Sequence, residues 1–170
     1  MRTLNVGIVG CGGIANNKHL PAMKRVGNFN IVAFCDLIEE RAVKAKEDFG
    51  TPDARIYTDY QELVREDLDA VYVLTPNSAH APVAIAAMKA GKHVLCEKPM
   101  AKTFAEAQEM VRTAKETGRI LTIGYQNRYR GDSRYLKKAC TNGDLGEIYY
   151  AKAHAIRRRA VPTWGVFLDA

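Results

Sequence analysis

The run Leu4-Asn5-Val6-Gly7-Ile8-Val9-Gly10-Cys11-Gly12-Gly13-Ile14-Ala15 decides the fold. Leu4, Val6, Ile8 and Val9 read as a short buried strand. Gly10, Gly12 and Gly13 follow at once, and a helical stretch begins there. The pattern is G-x-G-x-x-A, the strand–turn–helix that opens a dinucleotide-binding fold. Each small residue has a mechanical reason. Gly10 allows the tight turn, Gly12 lets the backbone approach a pyrophosphate with no Cβ in the way, and Ala15 lets the helix lie close against the strand. The helix N-terminus offers free N–H groups to the phosphates. Gly10, Cys11, Gly12, Gly13 and Ile14 are therefore the first candidates for cofactor contact. The alternative is a glycine-rich loop that only turns the chain.

Outward from this run, strands alternate with helices. The first helix is expected from Gly13 towards Val26, bent near Pro21. Asn30 to Asp36 reads as a second buried strand that stops at an acid. Asp36 lies 21 positions after Ala15, where a dinucleotide-binding unit places the carboxylate for the adenine ribose. A carboxylate there accepts from both ribose hydroxyls and repels a 2′-phosphate, which favours NAD over NADP. The other reading of Asp36 is a cap for the helix Glu39–Phe49. A strand at 69–74 ends in Thr75-Pro76-Asn77, and His80 opens the next helix. His93 to Cys96 is a strand followed directly by Glu97-Lys98-Pro99. Thr103 and Glu106 form a capping box for the helix 104–117. Ile120 to Ile123 leads into Tyr125-Gln126-Asn127-Arg128-Tyr129. The alternation predicts an α/β fold, a Rossmann-type doubly wound parallel sheet over residues 1–124. Residues 125–170 read as the start of a second domain, with a helix at 133–140 and a strand-like segment from Glu147 to about Arg158.

Composition narrows the class. Hydrophobic content of 47% with 26% charged residues suits a folded domain of 170 residues. No apolar run approaches a membrane span, and no signal-peptide core is present, so a cytoplasmic protein is expected. Cys11, Cys35, Cys96 and Cys140 form no C-x-x-C pair and read as buried, reduced thiols; no metal site is expected. The net charge of +6 suits an anionic cofactor or substrate. There is no aromatic-interleaved basic motif and no zinc-finger spacing, so nucleic acid is set aside as a partner.

The glycine loop, Asp36, Thr75-Pro76-Asn77 with His80, Gly91-Lys92-His93-Val94-Leu95-Cys96-Glu97-Lys98-Pro99 and Tyr125-Gln126-Asn127-Arg128-Tyr129, in that order, resemble the glucose–fructose oxidoreductase / inositol dehydrogenase / rhizopine-catabolism family. The resemblance implies an NAD(P)-dependent oxidoreductase that moves a hydride between nicotinamide and a sugar, cyclitol or related polyol. It implies that Lys98 is the catalytic proton carrier, and that Thr75, Pro76 and Asn77 lie along the nicotinamide. It also implies that Asn127 and Arg128 line the substrate cleft; the alternative for Arg128 is a solvated side chain. A lysine partly desolvated beside a positively charged ring can exchange protons near neutrality; the alternative is a solvated surface lysine. Glu97 either holds Lys98, contacts the cofactor ribose or forms a structural ion pair. His80 either contacts the cofactor or begins its helix. His19 and His93 read as structural. A cis peptide before Pro99 is expected.

The chain departs from the family in length. The resemblance covers the cofactor domain and only the first segment of the second. The family's downstream Asp-x-Gly-x-His type motif, which supplies partners to the lysine, is absent. The expectation is a chain that binds NAD(H) but turns over poorly, with homo-oligomers forming through the second-domain sheet only if that domain is complete. A non-catalytic NAD-binding module, either a redox sensor or a partner-binding domain, is the other function class.

Overall fold

A computed structural model describes residues 2–154 and 156 of the chain. They fall into two compact units that meet in sequence between Gly124 and Tyr125.

The first unit is built on one sheet of six parallel strands. They are β1 (Leu4–Val9), β2 (Phe29–Cys35), β3 (Arg55–Tyr57), β4 (Ala70–Val73), β5 (His93–Cys96) and β6 (Leu121–Ile123). Their order across the sheet is β3-β2-β1-β4-β5-β6, and every neighbouring pair is parallel. This is the doubly wound arrangement expected from the alternation. The chain moves outward from β1 through β2 to β3, then returns to the other side of β1 with β4. The crevice between the C-terminal ends of β1 and β4 is the topological switch point, where open α/β sheets bind ligands.

Both faces of the sheet are covered, which is why Val6, Ile8 and Val9 of β1 are all buried and the strand does not alternate over its second half. On one face Leu20 and Met23 of α1 (Leu20–Val26) pack with Ala42 and Ala45 of α2 (Glu39–Phe49) onto Val6, Ile8, Ile31 and Phe34. On the other face Leu63 of α3 (Tyr60–Leu63) packs on Val71, Val73 and Val94, as do Val83, Ala84 and Met88 of α4 (His80–Lys89). Met110 of α5 (Phe104–Thr117) closes that layer. The α5 start is the predicted capping box. Thr103 Oγ1 accepts from the Glu106 amide and Glu106 Oε2 accepts from the Thr103 amide. Gly50 ends α2 as expected, but not through a left-handed cap: its φ is −78°. A Cβ there would lie 2.8 Å from the Lys46 carbonyl oxygen and 2.9 Å from the Phe34 ring, so the position needs the space.

Four expectations are corrected. The first helix is not one α-helix bent at Pro21. Ala15–His19 is a π-helical turn, and α1 starts after it with Pro21 in its first turn. The widening has local causes. The Asn16 amide side chain donates to the Cys11 and Gly12 carbonyls and that of Asn17 to Gly13, while Pro21 has no N–H to continue the ladder. Second, the segment after Glu147 is not a strand: residues 147–154 and 156 have no regular structure, because no partner strand lies among the described residues. Ala155, Arg157 and Arg158 of that segment fall outside the described residues. Third, the helix expected at 133–140 is longer, α6 (Gly131–Asn142). Fourth, Cys140 is exposed on α6, whereas Cys11, Cys35 and Cys96 are buried; α6 covers only Ala139 within its own unit. No helix among the described residues is long and apolar enough to cross a membrane.

Burial, then the nearby Asp36 carboxylate, pushes the Cys11 and Cys35 thiols up to about 12. Burial, with Glu97 beside it, does the same to Cys96. Thiolate is the reactive form. Iodoacetamide at neutral pH is therefore expected to label Cys140 alone in the native chain and all four cysteines after unfolding, read by intact mass. Native labelling of Cys11, Cys35 or Cys96 at the rate of Cys140 contradicts this packing.

Candidate functional site

The cofactor residues singled out from the sequence gather at the C-terminal ends of β1, β2, β4 and β5, along one edge of one sheet. Gly10 follows β1 with φ +94°. A Cβ on it would meet the Leu74 carbonyl carbon and oxygen at 2.6 Å and the Thr75 nitrogen at 2.8 Å. Gly10 is thus the point where the loop presses against the end of β4. Gly12 is different. A Cβ there would meet nothing within 4 Å, and one on Gly13 would meet only Asn17 Nδ2 at 3.7 Å. The loop leaves open space above it, at the start of a helical stretch. Ala15 is fully buried, as the third small position requires, and Ile14 is exposed.

Asp36 closes the same loop from β2. Its Oδ2 accepts from the Cys11 amide at 2.8 Å and its Oδ1 from the Ile38 amide at 3.0 Å. Each carboxylate oxygen keeps a second acceptor site. Asp36 is not itself the N-cap of α2, which is Ile38 with no side-chain cap of its own, but its Oδ1 holds the Ile38 amide at the start of that helix. The Cys11 side chain faces the sheet, 3.7 Å from the Cys35 carbonyl, so only its backbone belongs to the loop.

On the β4 side, Thr75, Pro76 and Asn77 form the turn into a 3-10 segment, Asn77–Ala79. Thr75 Oγ1 is buried and has no partner among the described residues, which leaves an orphaned hydroxyl at the switch point. His80 is 1% exposed. Its Nε2 lies 3.0 Å from the Thr75 carbonyl and its Nδ1 2.7 Å from the Pro99 carbonyl. The ring ties the turn after β4 to the turn after β5, and it also begins α4. Both ring nitrogens are occupied by backbone, so the tie to the two turns is its visible role.

At the end of β5, Glu97 is 8% exposed. Its Oε1 lies 2.7 Å from His19 Nε2, and its Oε2 accepts from the Lys98 amide at 3.0 Å. The Lys98–Pro99 peptide is cis, as expected. Lys98 itself is exposed, and its Nζ makes no hydrogen bond or ion pair among the described residues. The expected partial desolvation is therefore absent from the first unit taken alone: Lys98 leaves the open edge of the sheet with nothing laid over it. Sequence reasoning took His19 as structural and missed its contact with Glu97. The two residues are 78 positions apart, and no local pattern carries such a pairing. His93 is structural as read, its Nδ1 accepting from the Ile120 amide. Asn127 and Arg128 lie in the 3-10 segment Gln126–Tyr129 of the second unit, both exposed.

Burial alone would raise the Glu97 carboxyl. The His19 hydrogen bond and the Lys98 amide outweigh burial, and the carboxyl is held below its ordinary value of 4.5. A depressed folded value means that ionised Glu97 stabilises the fold above the unfolded value, and that this contribution is lost as pH falls through the lower folded one. The stability gap between the wild type and Glu97→Gln is expected to be full near neutrality and to close below about pH 4.5. Urea midpoints at several pH values check it; a gap that does not change with pH contradicts it.

The oxidoreductase family with an NAD-binding Rossmann fold (Gfo/Idh/MocA) matches residues 4–125. Among curated proteins, the chain is 38% identical over 167 residues to D-glucoside 3-dehydrogenase of Escherichia coli (strain K12). That match covers 98% of this chain and 47% of the relative. It is 33% identical over 164 residues to an inositol 2-dehydrogenase of Salmonella paratyphi B, covering 95% of this chain and 48% of that one. Among solved structures, the WlbA dehydrogenase from Bordetella pertussis, crystallised with NADH and UDP-GlcNAcA, matches with a TM-score of 0.81 at 33% identity. The match covers 87% of this chain and 42% of that one. The chain thus spans about half the length of the proteins it matches.

Proposed function

The chain belongs to the Gfo/Idh/MocA oxidoreductase family, and from that premise we propose that it binds NAD(H) along the edge formed by Gly10–Ile14, Asp36, Thr75–Asn77 and Glu97–Lys98. We propose further that it is the cofactor half of a dehydrogenase acting on a sugar, cyclitol or related polyol. The observation that carries the reading is the open space above Gly12, with the Asp36 carboxylate held to the same loop through the Cys11 amide. A diphosphate fits where no Cβ stands, beside helix N–H groups, and a ribose diol suits the acceptor sites left on Asp36. The orphaned Thr75 hydroxyl would find a partner in a ligand laid across the switch point. The carboxylate favours NAD over NADP.

The residues divide the work. The glycine loop holds the diphosphate, Asp36 orients the adenosine ribose, and Thr75, Pro76 and Asn77 flank the nicotinamide. A nicotinamide dinucleotide, when bound, supplies the hydride chemistry. Lys98 Nζ, at the open edge, takes the alcohol proton in oxidation and returns it in reduction once a bound dinucleotide and substrate cover and desolvate it. Asn127 and Arg128 orient a polyhydroxyl substrate. Lys98 Nζ has no acidic or imidazole partner among the described residues, so the 170-residue chain alone binds cofactor and turns over slowly or not at all. Stopped assays with NAD and a polyol panel test this. The expected result is saturable NADH binding without rapid turnover. Rapid polyol oxidation by the chain alone would overturn the division of work.

A further inference from the structure

His19 is the last residue of the π-helical turn Ala15–His19. Its ring packs edge-on against Tyr72 of β4, with centroids 6.1 Å apart and planes at 78°. Its Nε2 lies 2.7 Å from Glu97 Oε1, and both side chains are largely buried, 18% and 10% exposed. The other carboxylate oxygen of Glu97 accepts from the Lys98 amide, and the Glu97 amide itself donates to Val73 of β4 at 2.9 Å. Gly124 leaves room for the carboxylate, since a Cβ there would stand 3.2 Å from Oε1. One chain of contacts thus runs from the helix that starts at the glycine loop to the backbone of the lysine. Around an α-helix each residue turns by about 100°. Without the extra residue of the wide turn, His19 would be swung away from Glu97 by about that angle.

We propose that His19 is a positioning residue for Lys98: the π-helical turn brings its imidazole onto Glu97, and Glu97 in turn holds the Lys98 amide. The contact sets the end of the sheet that carries Lys98 in register with the glycine loop, so that one dinucleotide can reach both. The affinity half of this inference rests on the NAD(H) reading above; the structural half does not.

The test uses the full 170-residue chain, with His19→Ala and His19→Gln. Gln carries an amide N–H donor at a reach similar to the imidazole Nε2, so it can rescue the contact. Two readouts are taken. The first is hydrogen exchange of the Lys98 amide without any ligand. The second is the affinity for NADH and, separately, for ADP, which lacks the nicotinamide end. In His19→Ala the Lys98 amide is expected to exchange about tenfold faster. NADH affinity is expected to fall about tenfold as the Lys98 end of the sheet loses its register with the glycine loop, with ADP affinity changed less than about twofold, while His19→Gln stays near the wild type in both. A helix merely destabilised by the substitution would weaken ADP and NADH alike. That result overturns the proposal, as does unchanged Lys98 exchange or a His19→Gln no better than His19→Ala. If the wild type binds neither NADH nor ADP, the NAD(H) reading fails, and the Lys98 exchange still decides the role of His19.

Discussion

Replacing Gly10 by alanine is expected to destabilise the chain by about 3 kcal/mol or more, while the same change at Gly12 leaves stability nearly untouched. Gly10 has φ +94°, which costs a side-chain-bearing residue about 1–2 kcal/mol. Its new Cβ would also stand 2.6 Å from the Leu74 carbonyl carbon and oxygen. Those are backbone atoms at the end of β4, so no rotamer change relieves the clash. Overpacking of this kind costs about 1–3 kcal/mol more. In a chain of this size each kcal/mol lowers Tm by roughly 2–4 °C, so a drop on the order of 10 °C is expected. Gly12 has neither constraint, because its Cβ would meet nothing within 4 Å. Gly12→Ala is expected to keep Tm and to weaken NADH binding, because the methyl group enters the space assigned to the diphosphate. Calorimetry and titration of the two variants separate the roles. A Gly12→Ala variant that binds NADH as the wild type does would contradict the place given to the diphosphate.

Asp36→Asn is expected to lower NADH affinity about 10- to 100-fold. Hydrogen bonds to a charged group are worth about 1.5–3 kcal/mol, and each 1.4 kcal/mol is tenfold. The carboxylate also fastens the glycine loop, with one oxygen on the Cys11 amide and the other on the Ile38 amide. The Asn side chain can accept at only one of these positions and must turn its NH2 towards the other donor. The substitution therefore weakens the ribose site and loosens the loop together. It also removes the negative charge that would repel a 2′-phosphate, so the NADPH-to-NADH affinity ratio should rise. An Asp36→Asn chain with an unchanged ratio would refute the role assigned to the carboxylate.

Much of the first unit was legible in the sequence because its signals are local. The buried run ending at Val9, the glycines after it and the acid after β2 each state their structure within a few residues. The turns at Thr75 and Glu97 each follow an apolar strand, and parallel pairing brings such ends to one edge. What escaped was longer in range or finer in geometry. The π-helical turn depends on where the Asn16 and Asn17 amides go, and a periodicity count sees only a helix. The His19–Glu97 contact and the His80 ties to Thr75 and Pro99 join residues that only the folded sheet brings together. The strand-like reading from Glu147 to about Arg158 rested on residue types with imperfect alternation. A strand needs a partner, and none lies among the described residues.

The central claim is that the edge from the glycine loop to Lys98 holds NAD(H), with Asp36 selecting it over the phosphorylated dinucleotide. Fluorescence titration of the purified 170-residue chain with NADH and with NADPH tests this most directly. The account predicts saturable binding of one NADH per chain, tighter than NADPH by at least about tenfold. No saturable NADH binding, or NADPH bound as tightly as NADH, would contradict it.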